Sequence, residues 1–123
     1  MTSISREQFE RLVRQVLSQL PEEFKSQLNN VDVVVDTAAS PTQLIGTGIE
    51  DAMELLGLYE GIPLTERYGY DLVLPDKITI FQKPIESICE TQEEITQEIE
   101  TTITHEIAHH FGINDDRLEE IGR

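Results

Sequence analysis

Cysteine is nearly missing from this chain. Only Cys89 is present, so no disulfide can form within it, and a reducing compartment is the expected setting. Long apolar runs are missing too: mean hydropathy is -0.29, and no stretch approaches the ~18 apolar residues of a membrane span. No membrane partner is expected. The opening residues, MTSISREQFE, lack the basic and then apolar plan of a secretory signal, which again points to the cytoplasm. Basic residues are scarce, with nine Lys and Arg against 24 Asp and Glu, a net charge of -15 and a pI near 4.3. Nucleic-acid binding draws its affinity from cations that neutralise phosphates, so a chain this acidic is expected to repel a duplex. The excess acid reads instead as a soluble surface that resists aggregation. Internal repeats and low-complexity linkers are absent as well. At 123 residues and 14.0 kDa, residues 1–123 are expected to form one small domain.

What is present begins with an amphipathic helix. Phe9, Leu12, Val13, Val16, Leu17 and Leu20 recur at the spacing of one helical face, Ser5 and Gln8 form a capping box, and Pro21 stops the helix. Val31 to Val35 is short and β-branched, the pattern of a strand. Pro41, Gly46 and Gly48 mark a loop between Ser40 and Ala52, and a second strand is expected at Leu55 to Tyr59. Residues Thr65 to Asp76 read as another loop. Lys77 to Gln82 alternates polar and apolar residues, as a strand with one wet face does, and Pro84 ends it. Thr91 and Glu94 then form a second capping box, opening a long helix that runs to about Phe111 before Gly112. Asp116 to Ile121 adds a short terminal helix. The order predicts an α+β domain, a small mixed sheet with an N-terminal helix, a long helix and a short C-terminal helix.

The long helix carries the chemistry. His105-Glu106-Ile107-Ala108-His109 is an HExxH sequence, and two histidines at i and i+4 share a helical face, where both imidazoles can bind one ion. Zinc is the expected metal for nitrogen ligands joined by a carboxylate. At about 100° per residue, Ile95, Ile99, Ile103 and Ile107 form a core stripe from roughly 0° to 120°. His105 and His109 fall beside that stripe at about 280° and 320°. Glu106 lies on its edge at about 20°, where an unpartnered carboxylate costs several kcal/mol. A metal and its water would supply a partner, and Glu106 would serve as general base. His110, at about 60°, points into the stripe and reads as a core histidine or one that supports a ligand.

A catalytic zinc keeps three protein ligands and one open position. Gly112 lets the chain turn back, and Asp115 follows within reach as the third ligand. Asp116 is the rival, with helix capping as its simpler role, while Glu119 and Glu120 are more remote alternatives. Spacing favours Asp115.

HEIAHHFGINDD resembles the active-site helix of zincin metallopeptidases of the HExxHxxGxx(H/D) group. More closely, the chain resembles a family of small bacterial minimal zincin-like proteins, through Leu55–Arg67, Leu74–Phe81 and the motif itself. The resemblance implies His105, His109 and Asp115 as metal ligands and Glu106 as the catalytic base. It also implies that the Lys77–Gln82 strand forms the sheet edge along which an extended substrate pairs. Both methionines, Met1 and Met53, precede the motif, so the Met-turn of the metzincins is not expected. The expected function is therefore hydrolysis of a peptide or protein substrate by a single zinc, a metal-activated water and Glu106. Tyr59, Tyr68 and Tyr70 are possible donors to the substrate oxyanion, though packing or surface roles suit them better. The alternative is a catalytically silent metal-binding or interaction module on the same scaffold. A metal-dependent nuclease is disfavoured by the charge.

Overall fold

The computed structural model describes residues 3–61 and 75–111. Helix α1 (Arg6–Gln19) is capped by Ser5, whose hydroxyl accepts from Gln8 N, and it buries Phe9, Leu12, Val13 and Val16 as its periodicity requires. A six-residue helix α2 (Glu22–Gln27) follows directly, then strand β1 (Val31–Asp36), a short helix α3 (Pro41–Leu44) and a 3-10 turn at Ala52–Glu54. Strands β2 (Gly57–Glu60) and β3 (Asp76–Phe81) come next, then helix α4 (Gln82–Ser87) and helix α5 (Gln92–Phe111). The domain is α+β, as expected. The terminal helix expected at Asp116–Ile121 lies outside the described residues.

The sheet runs β1-β3-β2, with β1 parallel and β2 antiparallel to β3. This corrects one expectation. The strand beginning near Lys77 is the centre of the sheet, and among the described residues β1 and β2 are its edges. The alternation of that strand also misleads, because Thr79 is 2 % exposed and Phe81 fully buried. Both faces of β3 are covered. On one face, Ile78 and Ile80 join α1, α2 and the Ile95, Ile99, Ile103, Ile107 stripe of α5 in the main core, with Val31, Val33, Val35 and Tyr59 packed against it. On the other, Phe81 packs with Ala39 and Leu55 in a smaller cluster that takes in Leu44, Ile49, Ala52 and Leu58. The segment read as a loop after Ser40 therefore contains a helix. Ser40 and Gln43 form a full capping box, and Pro41 fills the first helical position. Pro84 does not end β3 in an open turn either. It sits in the first turn of α4, where its missing N–H leaves nothing unpaired.

The N-terminal segment is tied to this frame by polar contacts. Arg6 donates to Gln82 Oε1 (3.1 Å), Val35 O (3.3 Å) and Thr37 Oγ1 (2.7 Å). Glu86 is fully buried, and its Oε2 accepts from Ile4 N at 2.9 Å and Gln82 Nε2 at 3.0 Å. These bonds offset the cost of holding a carboxylate away from water.

Helix α5 presses directly on β2. Gly57 is buried, and a Cβ built on it would overlap Thr102 Cγ2 and lie 3.3 Å from Thr79 O. The absence of a side chain sets the separation of helix and strand. Gly57→Ala is expected to destabilise the fold by about 1–3 kcal/mol, the range of overpacked cores. Denaturant melts should show this, with Thr102→Ala restoring part of the loss in a double-mutant cycle.

Candidate metal centre

The site is built on the last two turns of α5. At the helix start, Thr91 Oγ1 accepts from Glu94 N (3.1 Å), and Glu94 Oε1 accepts from Glu90 N (2.7 Å). Acidic Glu93 and Glu94 lie in the first turn, and His109 and His110 in the last, as the helix dipole favours. Four isoleucines with no exposed surface hold the helix face-down on the sheet, which fixes its rotation and so the direction of every residue at the motif. Thr104 is also buried, and its hydroxyl donates to Glu100 O at 2.9 Å, keeping the helix satisfied just before His105.

His105 and His109 are exposed, one turn apart, with ring planes 5° from parallel and centroids 6.4 Å apart. With Zn–N near 2.05 Å, two imidazoles on one tetrahedral ion would have centroids roughly 5 Å apart. The observed pair is about an ångström wider, a gap that rotation of two exposed side chains closes. Glu106 is half-buried, at the edge of the isoleucine stripe where helical geometry places it. Its Oε1 accepts a hydrogen bond from Tyr59 N at 3.0 Å.

That donor belongs to the sheet edge. Phe81 N donates to Leu56 O, so in the antiparallel register the pair Tyr59 and Ile78 turn their N–H groups away from each other. The Tyr59 N–H therefore faces out of the sheet, and the Glu106 carboxylate meets it there. Burial pushes the Glu106 carboxyl up from its ordinary value, while the Tyr59 N–H and the neighbouring His109 pull it back down. Oε2 takes no hydrogen bond among the described residues.

Tyr59 makes two further contacts. Its ring stacks on His110, with centroids 3.7 Å and planes 13° apart, and its hydroxyl donates to Asp76 Oδ2 at 2.8 Å. Burial and then the Asp76 carboxylate push the phenol up to about 12, so it stays protonated and donating. This corrects one of the two readings of His110, that of a core histidine. It is an exposed residue lying against the edge-strand tyrosine, because the final turn of α5 reaches past the core to β2. The Tyr59 hydroxyl, a possible oxyanion donor by sequence, is engaged with Asp76.

The structure thus brings together His105, His109 and Glu106. Asp115, Asp116, Glu119, Glu120, Tyr68 and Tyr70 lie outside the described residues. Among the described residues, no group of three or more His, Cys, Asp or Glu is placed to hold a metal ion. The donor set nevertheless suits zinc: two nearly parallel imidazoles stand one turn apart beside a half-buried carboxylate with an oxygen to spare. Sequence reasoning missed the Tyr59 main chain as the partner of Glu106. A backbone donor 47 residues away leaves no pattern to read.

The family comparison points to a metallopeptidase-like domain. A family model for zincin-like metallopeptidases matches residues 28–123, and the chain belongs to that family. A solved structure of a conserved hypothetical protein from T. thermophilus is similar, with a TM-score of 0.57 and 25% identity over 88% of this chain and 94% of that one. No curated protein matches the chain. Among the described residues, no helix is long and apolar enough to cross a membrane.

Proposed function

We propose that this protein is a zinc metallopeptidase in which His105, His109 and Asp115 hold a single zinc and Glu106 is the general base. The observation that carries this reading is the placement of Glu106. A carboxylate on the edge of an apolar stripe, held by a strand-edge N–H and set beside two parallel imidazoles, has no structural purpose that a glutamine would not serve at lower cost. Zinc bound there supplies a Lewis acid that activates a water and polarises the scissile carbonyl. Glu106 Oε2 takes the proton of that water and returns it to the leaving amine, while Oε1 remains bonded to Tyr59 N. Burial makes this carboxylate a stronger base than a surface glutamate.

The substrate is a peptide or protein segment that approaches the exposed side of His105 and His109, rather than the central strand β3 that the sequence suggests. Buried Cys89 and the acidic surface suit a cytoplasmic protein that does not act on nucleic acid. The test is a mixed peptide library incubated with the zinc-loaded protein, with and without a chelator, and read by mass spectrometry. Cleavage that stops on chelation and returns with zinc is expected. Tight zinc binding with no cleavage of any peptide would assign the chain to the silent metal-binding class instead.

A further inference from the structure

The Tyr59 contacts converge on the motif from three directions. Its main chain bonds the base Glu106 at 3.0 Å, its ring covers His110 beside the second histidine at 3.7 Å, and its hydroxyl is fixed by Asp76 at 2.8 Å. Asp76 begins β3 and Tyr59 lies on β2, so the phenol is anchored to the sheet rather than to the helix it touches. Among the described residues, this contact reaches the end of the helix. The core holds α5 as far as Ile107 and Ala108, whereas His109 and His110 are exposed beyond it. An exposed last helical turn frays unless something outside the helix holds it.

We infer that Tyr59 is a positioning residue for the metal centre, holding the last turn of α5 against the sheet edge so that His109 and Glu106 keep a fixed separation. This rests on the metallopeptidase reading of His105, His109 and Glu106. The ring acts through His110 and the helix backbone, and the Asp76 bond keeps it in the stacking orientation. A preset ligand pair binds metal more tightly than one that must be ordered on binding, and residues supporting metal ligands typically contribute about 10- to 100-fold in affinity.

The experiment is a variant series in the full chain, read by zinc competition against a chromophoric chelator and by the visible spectrum of the cobalt-substituted protein. Tyr59→Leu is expected to weaken zinc binding about 10- to 100-fold and to change the cobalt spectrum, reporting an altered ligand geometry. Tyr59→Phe keeps the ring but loses the Asp76 anchor, and its zinc affinity should fall between those of Tyr59→Leu and wild type. His110→Ala removes the stack from an exposed position and serves if Tyr59→Leu fails to fold. It should weaken zinc by a similar factor, and the double variant should lose less than the product of the two single losses. Wild-type zinc affinity and cobalt spectrum in both Tyr59→Leu and His110→Ala, even with a lowered melting temperature, would show that the tyrosine only packs and would overturn the inference. A wild-type protein that binds neither metal would overturn the metallopeptidase reading itself, a result distinct from unchanged variants.

Discussion

Glu106→Gln is expected to lower peptide hydrolysis by about 10²- to 10⁴-fold, the usual contribution of a positioned general base, while leaving zinc bound. The two effects separate because the substitution preserves shape and one acceptor. The glutamine carbonyl can still take the Tyr59 N–H at the place of Oε1, so the link between α5 and the sheet edge survives. What disappears is the oxygen able to accept a proton. The same variant should be the more stable protein without metal. Burial raises the Glu106 carboxyl above its ordinary 4.5 in the folded chain. A group raised in this way favours the folded state below its unfolded value and loses that contribution as pH rises through its folded value. At neutral pH the ionised carboxylate therefore weakens the metal-free fold, and a neutral amide does not. Metal-free Glu106→Gln should melt above metal-free wild type at pH 7, with the gap closing below the carboxylate range. Steady-state hydrolysis and thermal melts at two pH values check both arms. Undiminished cleavage by the glutamine variant would remove Glu106 from the mechanism.

The second large effect belongs to the histidines. A structural zinc site contributes about 10–16 kcal/mol over its ligands, or roughly 2.5–4 kcal/mol for each of four. His109→Ala should therefore weaken zinc binding about 10²- to 10³-fold, at about 1.4 kcal/mol for each factor of ten. His109 is exposed at the end of α5 and takes no part in the isoleucine core, so the fold itself should survive the change. Competition against a chelator of known affinity measures the loss, and circular dichroism confirms that the helix remains. His105→Ala should behave alike, one turn earlier on the same face. Hydrolysis should fall with zinc occupancy in both, and excess zinc should restore part of it. A variant that binds zinc as tightly as wild type would show that the imidazoles are surface residues.

Much of this site is legible in the sequence because it lies on one long helix. The spacing of Ile95, Ile99, Ile103 and Ile107 sets the rotation of α5, and all four are fully buried. With that rotation known, the shared face of His105 and His109 and the half-buried position of Glu106 follow from helical geometry alone. Helices of six residues or fewer escape such reasoning. Helix α2 spans six residues and α3 four, too short for a face to repeat, although Ser40, Pro41 and Gln43 carry a capping signal. Thr79 reads as a solvent-facing residue yet is buried under a second cluster, supplied by the segment between β1 and β2. The order of strands is hidden for a related reason. β2 has only four residues, and its place at the edge depends on long-range pairing with β3. The partner of Glu106 is a main-chain N–H, which no residue type betrays. The core reading of His110 fails because the last turn of α5 reaches past the isoleucine core and lays the ring against Tyr59 of β2.

The central claim is that the two parallel imidazoles and the carboxylate beside them serve a metal ion. Zinc bound per chain, measured by inductively coupled plasma mass spectrometry after exposure to zinc and extensive washing, tests it most directly. A single zinc per wild-type chain, lost in His109→Ala and sharply reduced in Asp115→Ala, is the expected result. A wild-type protein that emerges folded and free of zinc would contradict the account.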